Sequence, residues 1–204
     1  MQDVVNSKDS LRKKFRKIRS AISLEERNDA SGKICVLLKE FFSIKMPAAM
    51  AVYRPVHNEA NIDCFIAKVL LLPYSERTVL LAPRINRRDE LEFAPFKHLT
   101  NDFSISDLGI PEPVAESSHS PGYSYVAGIS ISCFLTPGIA FDPVNMHRLG
   151  YGRGYYDRVF VKYPDALRVG IAFEEQLCTG IPYSEFDTPM HVLITEKRII
   201  RPEI

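Results

Sequence analysis

Residues 137–158, PGIAFDPVNMHRLGYGRGYYDR, decide how the rest of the sequence is read. An apolar run, 129–135, leads into them and ends at Pro137-Gly138. Gly150, Gly152 and Gly154 then stand at every second position. Arg148 and Arg153 accompany them, and Tyr155, Tyr156 and Asp157 close the segment. The spacing predicts a helix over 155–163. A strand, a glycine-rich turn and a helix start together form a phosphate-binding geometry. Glycines let the backbone curl, its N–H groups converge on an anion, and the helix dipole adds positive potential. Three alternating glycines alone also describe a hairpin turn or a bulge. Their neighbours favour phosphate: two guanidinium groups supply charge-assisted donors, and Asp157 is a hard oxygen ligand for magnesium. The segment carries neither the dinucleotide fingerprint GxGxxG nor a Gly-Lys-Ser/Thr loop.

Outward from this centre, strands and helices alternate. Residues 8–22 place Leu11, Phe15, Ile18 and Ile22 on one helical stripe and Lys8, Arg12, Arg16 and Arg19 on another. The basic stripe reads as a solvated face, or as a phosphate contact reached from far along the chain. Ser23 and Glu26 form a capping box that starts a second helix at Leu24. Residues 48–53 predict a buried strand, with Arg54, His57 and Glu59 at its C-terminal end, where α/β sheets gather ligands. A helix is expected over 62–72, which makes Glu59 a first-turn acid favoured by the helix dipole. His57 reads as a loop residue. Further strands are expected at 78–82, 91–93, 129–135, 169–173 and 192–195, with Asp187 in a loop. Residues 97–127 carry no regular pattern, and 117–125 are rich in Ser, Gly and Tyr. The alternation argues for an α/β fold with a mostly parallel sheet.

Composition narrows the function. The 204 residues suit one domain, 1–204, and the net charge of +1 provides no field toward nucleic acid or a membrane. No apolar run approaches the roughly 20 residues of a membrane span, and no apolar signal core opens the chain. Cys35, Cys64, Cys133 and Cys178 are scattered, which predicts buried free thiols and a reducing compartment, the cytoplasm. No GxSxG or Cys/His nucleophile signature is present. Asp157 and Asp187 are the candidate magnesium pair, since Mg²⁺ is held by one or two carboxylates together with phosphates and waters.

Arg148 to Asp157, RLGYGRGYYD, closely resembles the signature of the 5-formyltetrahydrofolate cyclo-ligases, also called methenyltetrahydrofolate synthetases. The preceding PGIAFD resembles that family's strand end. Similarity is dense over 137–158 and thin from Lys8 to Thr195. Two departures stand out. Five residues, 143–147, separate Asp142 from Arg148 where the family usually has four including a glycine, and Ser132 replaces a common acid.

The resemblance implies a three-layer α/β/α fold like that of ribose-phosphate isomerases and CoA-transferases. It implies Mg²⁺- and ATP-dependent conversion of 5-formyltetrahydrofolate to 5,10-methenyltetrahydrofolate with release of ADP and phosphate, and no obligate protein partner. ATP is expected at Lys8, Asp9, Ser10, Leu11 and Arg12 and along the loop Arg148, Leu149, Gly150, Tyr151, Gly152, Arg153, Gly154, Tyr155 and Tyr156. Folate is expected at Arg54, Glu59 and Tyr155, the metal at Asp157 and Asp187, and the catalytic work at Arg148 and Tyr155. Two other readings stand beside this one: a sugar-phosphate isomerase, and a non-catalytic nucleotide- or RNA-binding module on the same fold.

Overall fold

The apolar runs become strands in a computed structural model that describes residues 2–73, 78–107, 109–114 and 130–202. In chain order the strands are β1 (Ala49–Ala51), β2 (Val79–Ile85), β3 (Leu91–Pro95), β4 (Phe103–Ile105), β5 (Pro111–Pro113), β6 (Cys133–Pro137), β7 (Ala140–Phe141), β8 (Arg148–Leu149), β9 (Leu167–Ile171), β10 (Val192–Ile194) and β11 (Ile199–Ile200). The helices are α1 (Gln2–Ala21), α2 (Leu24–Phe41), α3 (Asp63–Leu70) and α4 (Tyr155–Lys162).

Seven strands form one sheet in the order β11-β10-β9-β6-β1-β2-β3. All neighbours run parallel except the edges, where β3 opposes β2 and β11 opposes β10. The chain enters at β1, winds outward to β2 and β3, then returns to β6 on the other side of β1. The winding therefore reverses between β1 and β6, and the crevice beyond their C-terminal ends is where such sheets bind ligands.

Period-two alternation sorts the sheet residues into two faces. Met50, Val52, Leu80, Leu135 and Ile171 join the cluster beneath α2 and α3. Ala51, Leu81, Phe134 and Leu193 join the opposite cluster with Val159 and Phe160 of α4. The result is the expected α/β/α layering. The capping box opens α2 as predicted: Glu26 N donates to Ser23 Oγ at 3.2 Å, and Ser23 N donates to Glu26 Oε2 at 2.9 Å. Phe141 enters the α4 face only because Gly170 has no side chain. A Cβ there would lie 2.6 Å from the Phe141 ring and 2.7 Å from Leu193.

Several expectations are corrected. The glycine loop does not follow β6 directly, because the β7–β8 hairpin intervenes and lifts the loop above the sheet end. Asp142, fully buried in this hairpin, accepts from Val144 N, Asn145 N, Gly180 N and Ile181 N and so ties the hairpin to residues 180–181. Helix α1 leaves the sheet faces and covers the hairpin, packing Leu11, Phe15 and Ile18 against Ile139, Ala140, Leu149 and Ile181. Helix α3 begins at Asp63, so Glu59 lies before its first turn. Strands β4 and β5 pair within the stretch that showed no pattern, because prolines at both ends of β5 hide it. The Ser/Gly/Tyr-rich stretch 117–125 lies outside the described residues. All four cysteines are free; Cys35 and Cys133 are buried, Cys178 is half-buried, and Cys64 is exposed, contrary to expectation.

Candidate active site

The crevice at the winding reversal is a cleft of about 600 Å³, within the size range of small-molecule sites. Its walls come from distant parts of the chain: Lys8 and Arg12 of α1, the segment after β1, the end of β2, the glycine loop, the start of α4, and Asp187.

The loop owes its shape to its glycines. Gly152 (φ +104°) and Gly154 (φ +63°) occupy the left-handed region that side chains rarely adopt, and Gly154 is the N-cap of α4. Gly150 lets the Arg148 guanidinium lie close, since a Cβ there would lie 2.5 Å from Arg148 Nη1. Arg12 Nε donates to Gly150 O at 2.9 Å, which ties α1 to the loop. The Arg12 guanidinium also covers Gly152, where a Cβ would lie 3.4 Å from Cζ.

Two ion pairs border the cleft. Lys8 Nζ lies 2.7 Å from Asp187 Oδ2, and Arg148 Nη2 lies 3.3 Å from Asp157 Oδ2. Asp157 Oδ1 accepts from Thr188 N at 3.4 Å, so the segment carrying Asp187 rests against Asp157. Burial alone would raise the Asp187 carboxyl, but hydrogen bonds from Lys8 and Ser184 overcome it and hold the group below its ordinary value. Among the described residues, no group of three or more His, Cys, Asp or Glu could form a metal cage. The pair fits Mg²⁺, which takes one or two carboxylates and completes its shell with phosphate oxygens and water.

The other wall centres on Glu59, which is 7% exposed. Its Oε1 accepts from the Tyr151 hydroxyl at 2.7 Å, and its Oε2 accepts from Val56 N at 3.1 Å. Burial pushes the Glu59 carboxyl up, opposed by Tyr151, Arg19, Val56 N and Arg148. Burial and the neighbouring Glu59 push the Tyr151 phenol up to about 12. The sequence offers Arg19 only as part of a basic stripe, solvated or in contact with phosphate, and not as a buried partner of Glu59 and Tyr151. The only trace in the sequence is the place of Arg19 three residues beyond Arg16 on the basic stripe and four beyond Phe15 on the apolar one.

The remaining expected site residues divide. Tyr155 and Tyr156 line the cleft; Arg148 sits over the Tyr156 ring at 5.1 Å, and the Tyr155 hydroxyl donates to Asp89 Oδ1 at 2.5 Å. Asp89, at the β2–β3 turn, also lies 3.7 Å from Arg153 Nη1. No sequence signal linked this turn to the loop. Arg54 reaches the cleft, but its guanidinium faces Asp63 at 3.3 Å, Leu99 O at 2.7 Å and the Phe103 ring at 4.5 Å. Asp9, Ser10 and Leu11 do not line the cleft. Asp9 pairs with Arg12, Ser10 is exposed, and Leu11 packs on the hairpin. Leu149 is 1% exposed and lines the cleft floor.

Among the described residues, no helix is long and apolar enough to cross a membrane. A probable 5-formyltetrahydrofolate cyclo-ligase of Schizosaccharomyces pombe is 31% identical over 50% of this chain and 53% of its own length. The 5-formyltetrahydrofolate cyclo-ligase of Mycoplasma pneumoniae is 27% identical over 83% of this chain and 87% of its own. The NMR structure of Aquifex aeolicus 5,10-methenyltetrahydrofolate synthetase matches with a TM-score of 0.75 at 30% identity, covering 97% of this chain and 93% of that one. The family model described as the 5-formyltetrahydrofolate cyclo-ligase family matches residues 4–196. With the family model matching nearly the whole chain and the Aquifex aeolicus structure sharing its fold, the chain belongs to the 5-formyltetrahydrofolate cyclo-ligase family of enzymes.

Proposed function

We propose that the chain closes 5-formyltetrahydrofolate to 5,10-methenyltetrahydrofolate using ATP, with ADP and phosphate as the other products. The formyl oxygen attacks the γ-phosphorus and ADP leaves. The carbonyl oxygen, a poor leaving group, is now a phosphate ester. The second folate nitrogen attacks the activated carbon and loses its proton, and the C–O bond breaks as phosphate departs with the electron pair. Positioning and charge neutralisation carry such a reaction, and no protein nucleophile is required.

One observation supports this most: a single cleft is lined by Lys8, Arg12, Arg148, the glycine loop and Glu59 together. The cations and amides suit a triphosphate, and Arg148 is placed to stabilise charge as it develops on the transferred group. Glu59 and the Tyr155 ring suit the N–H edge and the flat face of a pteridine. Asp157 and Asp187 would hold Mg²⁺, which when bound neutralises phosphate charge. Their present partners, Lys8 and Arg148, are themselves phosphate-seeking cations. We assign the ATP role on α1 to Lys8 and Arg12 and leave Asp9, Ser10 and Leu11 as supporting structure. The free thiols fit the reducing conditions of a cytoplasm.

The test is the absorbance of the methenyl product formed by the folded protein, with ATP and Mg²⁺ present or omitted in turn. One phosphate released per methenyl formed, only with both present, is expected. An isomerase would release no phosphate, and a non-catalytic binder would form no product. No ATP-dependent turnover in folded protein overturns the proposal.

A further inference from the structure

Arg19 is buried to 2% exposure beside a cleft that its own charge does not line. An arginine is placed so only when its donors are engaged. Its Nη1 donates to Gly138 O at 3.0 Å and lies 3.9 Å from Glu59 Oε1, while Nη2 donates to the Tyr151 hydroxyl at 2.8 Å. That hydroxyl spends its one proton on Glu59 Oε1 at 2.7 Å. The direction of the relay is therefore fixed: Arg19 donates to Tyr151, and Tyr151 donates to Glu59. Each Glu59 oxygen has a second lone pair beyond these bonds, and Glu59 lines the cleft.

We propose that Arg19 and the Tyr151 hydroxyl are positioning residues that hold the Glu59 carboxylate in place at the cleft, where it takes the N–H donors of the folate pteridine. This rests on the reading of Glu59 as a folate contact. It gives Tyr151, which stands between two glycines of the phosphate loop, a task at the folate end. One hydroxyl thereby ties the two halves of the cleft together.

Charge supports the assignment. Burial drives the Glu59 carboxyl toward its neutral form, opposed by the Tyr151 hydrogen bond, Arg19, the Val56 amide and Arg148. Tyr53 and Tyr156 also face Glu59, and burial keeps both as neutral phenols. Arg19 and Arg148 are thus the cations that sustain the carboxylate, and Arg148 is already paired with Asp157. Replacing Arg19 with a neutral side chain of similar bulk removes one of the groups that oppose burial, so the Glu59 carboxyl should rise further and its carboxylate should hold N–H donors less well.

The experiment measures KM separately for 5-formyltetrahydrofolate and ATP, from about pH 6 to about pH 9. The proteins are the parent, Arg19→Met, Arg19→Lys, Tyr151→Phe, Glu59→Gln and the double variant Arg19→Met/Glu59→Gln. Arg19→Met should raise the folate KM about tenfold near pH 7, the scale of one charge-assisted hydrogen bond, and leave the ATP KM within about twofold. The penalty should shrink as pH rises, and Arg19→Lys should recover part of it. Tyr151→Phe, which keeps the ring and its packing, should shift the same KM and carries the test if Arg19→Met does not fold. Once Glu59 is Gln, Arg19→Met should add little. The inference is overturned if both KM values rise together, if the penalty is the same at every pH, or if it persists in full in the Gln background, since each marks a merely structural arginine. An unchanged folate KM in Glu59→Gln removes the folate role of Glu59, and the inference with it. A parent with no ATP-dependent turnover fails at the proposed function instead.

Discussion

Gly150→Ala tests the loop with one added methyl group. The Gly150 backbone is outside the left-handed region, so alanine meets no φ penalty there. The obstacle is a single neighbour: the new Cβ would sit 2.5 Å from Arg148 Nη1, 3.2 Å from Cζ and 3.3 Å from Nη2. Ordinary contact begins near 3.4 Å, so the guanidinium must withdraw by about 1 Å. Being the far end of a flexible side chain, it can do so. The fold should accordingly lose no more than about 1 kcal/mol, a Tm shift of roughly 2–4 °C for a chain of this size. Function should lose more. The withdrawal disturbs the 3.3 Å pair with Asp157 and the position over the Tyr156 ring, and moves a donor proposed to meet phosphate. A charge-assisted hydrogen bond contributes about 1.5–3 kcal/mol, so kcat/KM for ATP should fall roughly 10- to 150-fold. Steady-state methenyl formation with ATP varied, alongside thermal unfolding, reads both effects. Gly170→Ala gives the contrast, because its Cβ meets the packed Phe141 ring at 2.6 Å and Leu193 at 2.7 Å. That overpacking should cost about 1–3 kcal/mol of stability. If Gly150→Ala keeps the parent kcat/KM for ATP, the placement of Arg148 does not matter to the nucleotide and the reasoning fails.

Asp157→Asn should raise the Mg²⁺ concentration needed for half-maximal rate by about tenfold with little change in Tm, read by titrating Mg²⁺ at fixed ATP; an unchanged requirement removes Asp157 from the metal. While leaving the share from Ser184, Lys8→Met should remove the share of stability that Asp187 gains from Lys8 through its depressed carboxyl. That contribution is present above the unfolded carboxyl range, about pH 4, and is lost as pH falls through the lower folded value. Parent and variant should therefore differ most in Tm above about pH 4 and converge in stronger acid, and a constant difference would contradict the pairing. Asp89→Ala frees the Tyr155 hydroxyl and Arg153 from the β2–β3 turn. Its largely exposed contacts should leave the stability within about 1 kcal/mol of the parent, while proteolysis within the glycine loop should speed up; equal cleavage rates would show that the turn does not clasp the loop.

What was legible in the sequence was periodic or local. The strand runs, the Ser23–Glu26 box, the start of α4 at Tyr155 and the glycine loop all announce themselves within a few residues. What was missed depends on partners far apart in the chain. Lys8 and Asp187 are 179 positions apart, Arg19 and Gly138 119, and Arg19 and Tyr151 132. Periodicity placed Arg19 on a charged stripe, but it could not say that α1 would bury Arg19 beside a hairpin while Arg16 stays exposed. The hairpin escaped for a related reason: two-residue strands such as β7 and β8 are too short to show alternation.

Three aspartates show why residue type alone does not assign a role. Asp142, Asp157 and Asp187 are all hard oxygen ligands near one loop. Asp142 spends its two oxygens on four backbone N–H groups, which no cation can replace without unpicking the hairpin. Asp157 and Asp187 accept one backbone N–H each, from Thr188 and Ser184, but also face the side-chain cations Arg148 and Lys8, and the side chains of both carboxylates keep about a fifth of their surface exposed. A side-chain cation can turn toward a triphosphate and leave its carboxylate to a metal ion; a backbone amide cannot. The identity of the partner, which only the fold supplies, separates the carboxylate that holds the loop in place from the two that can exchange one positive charge for another.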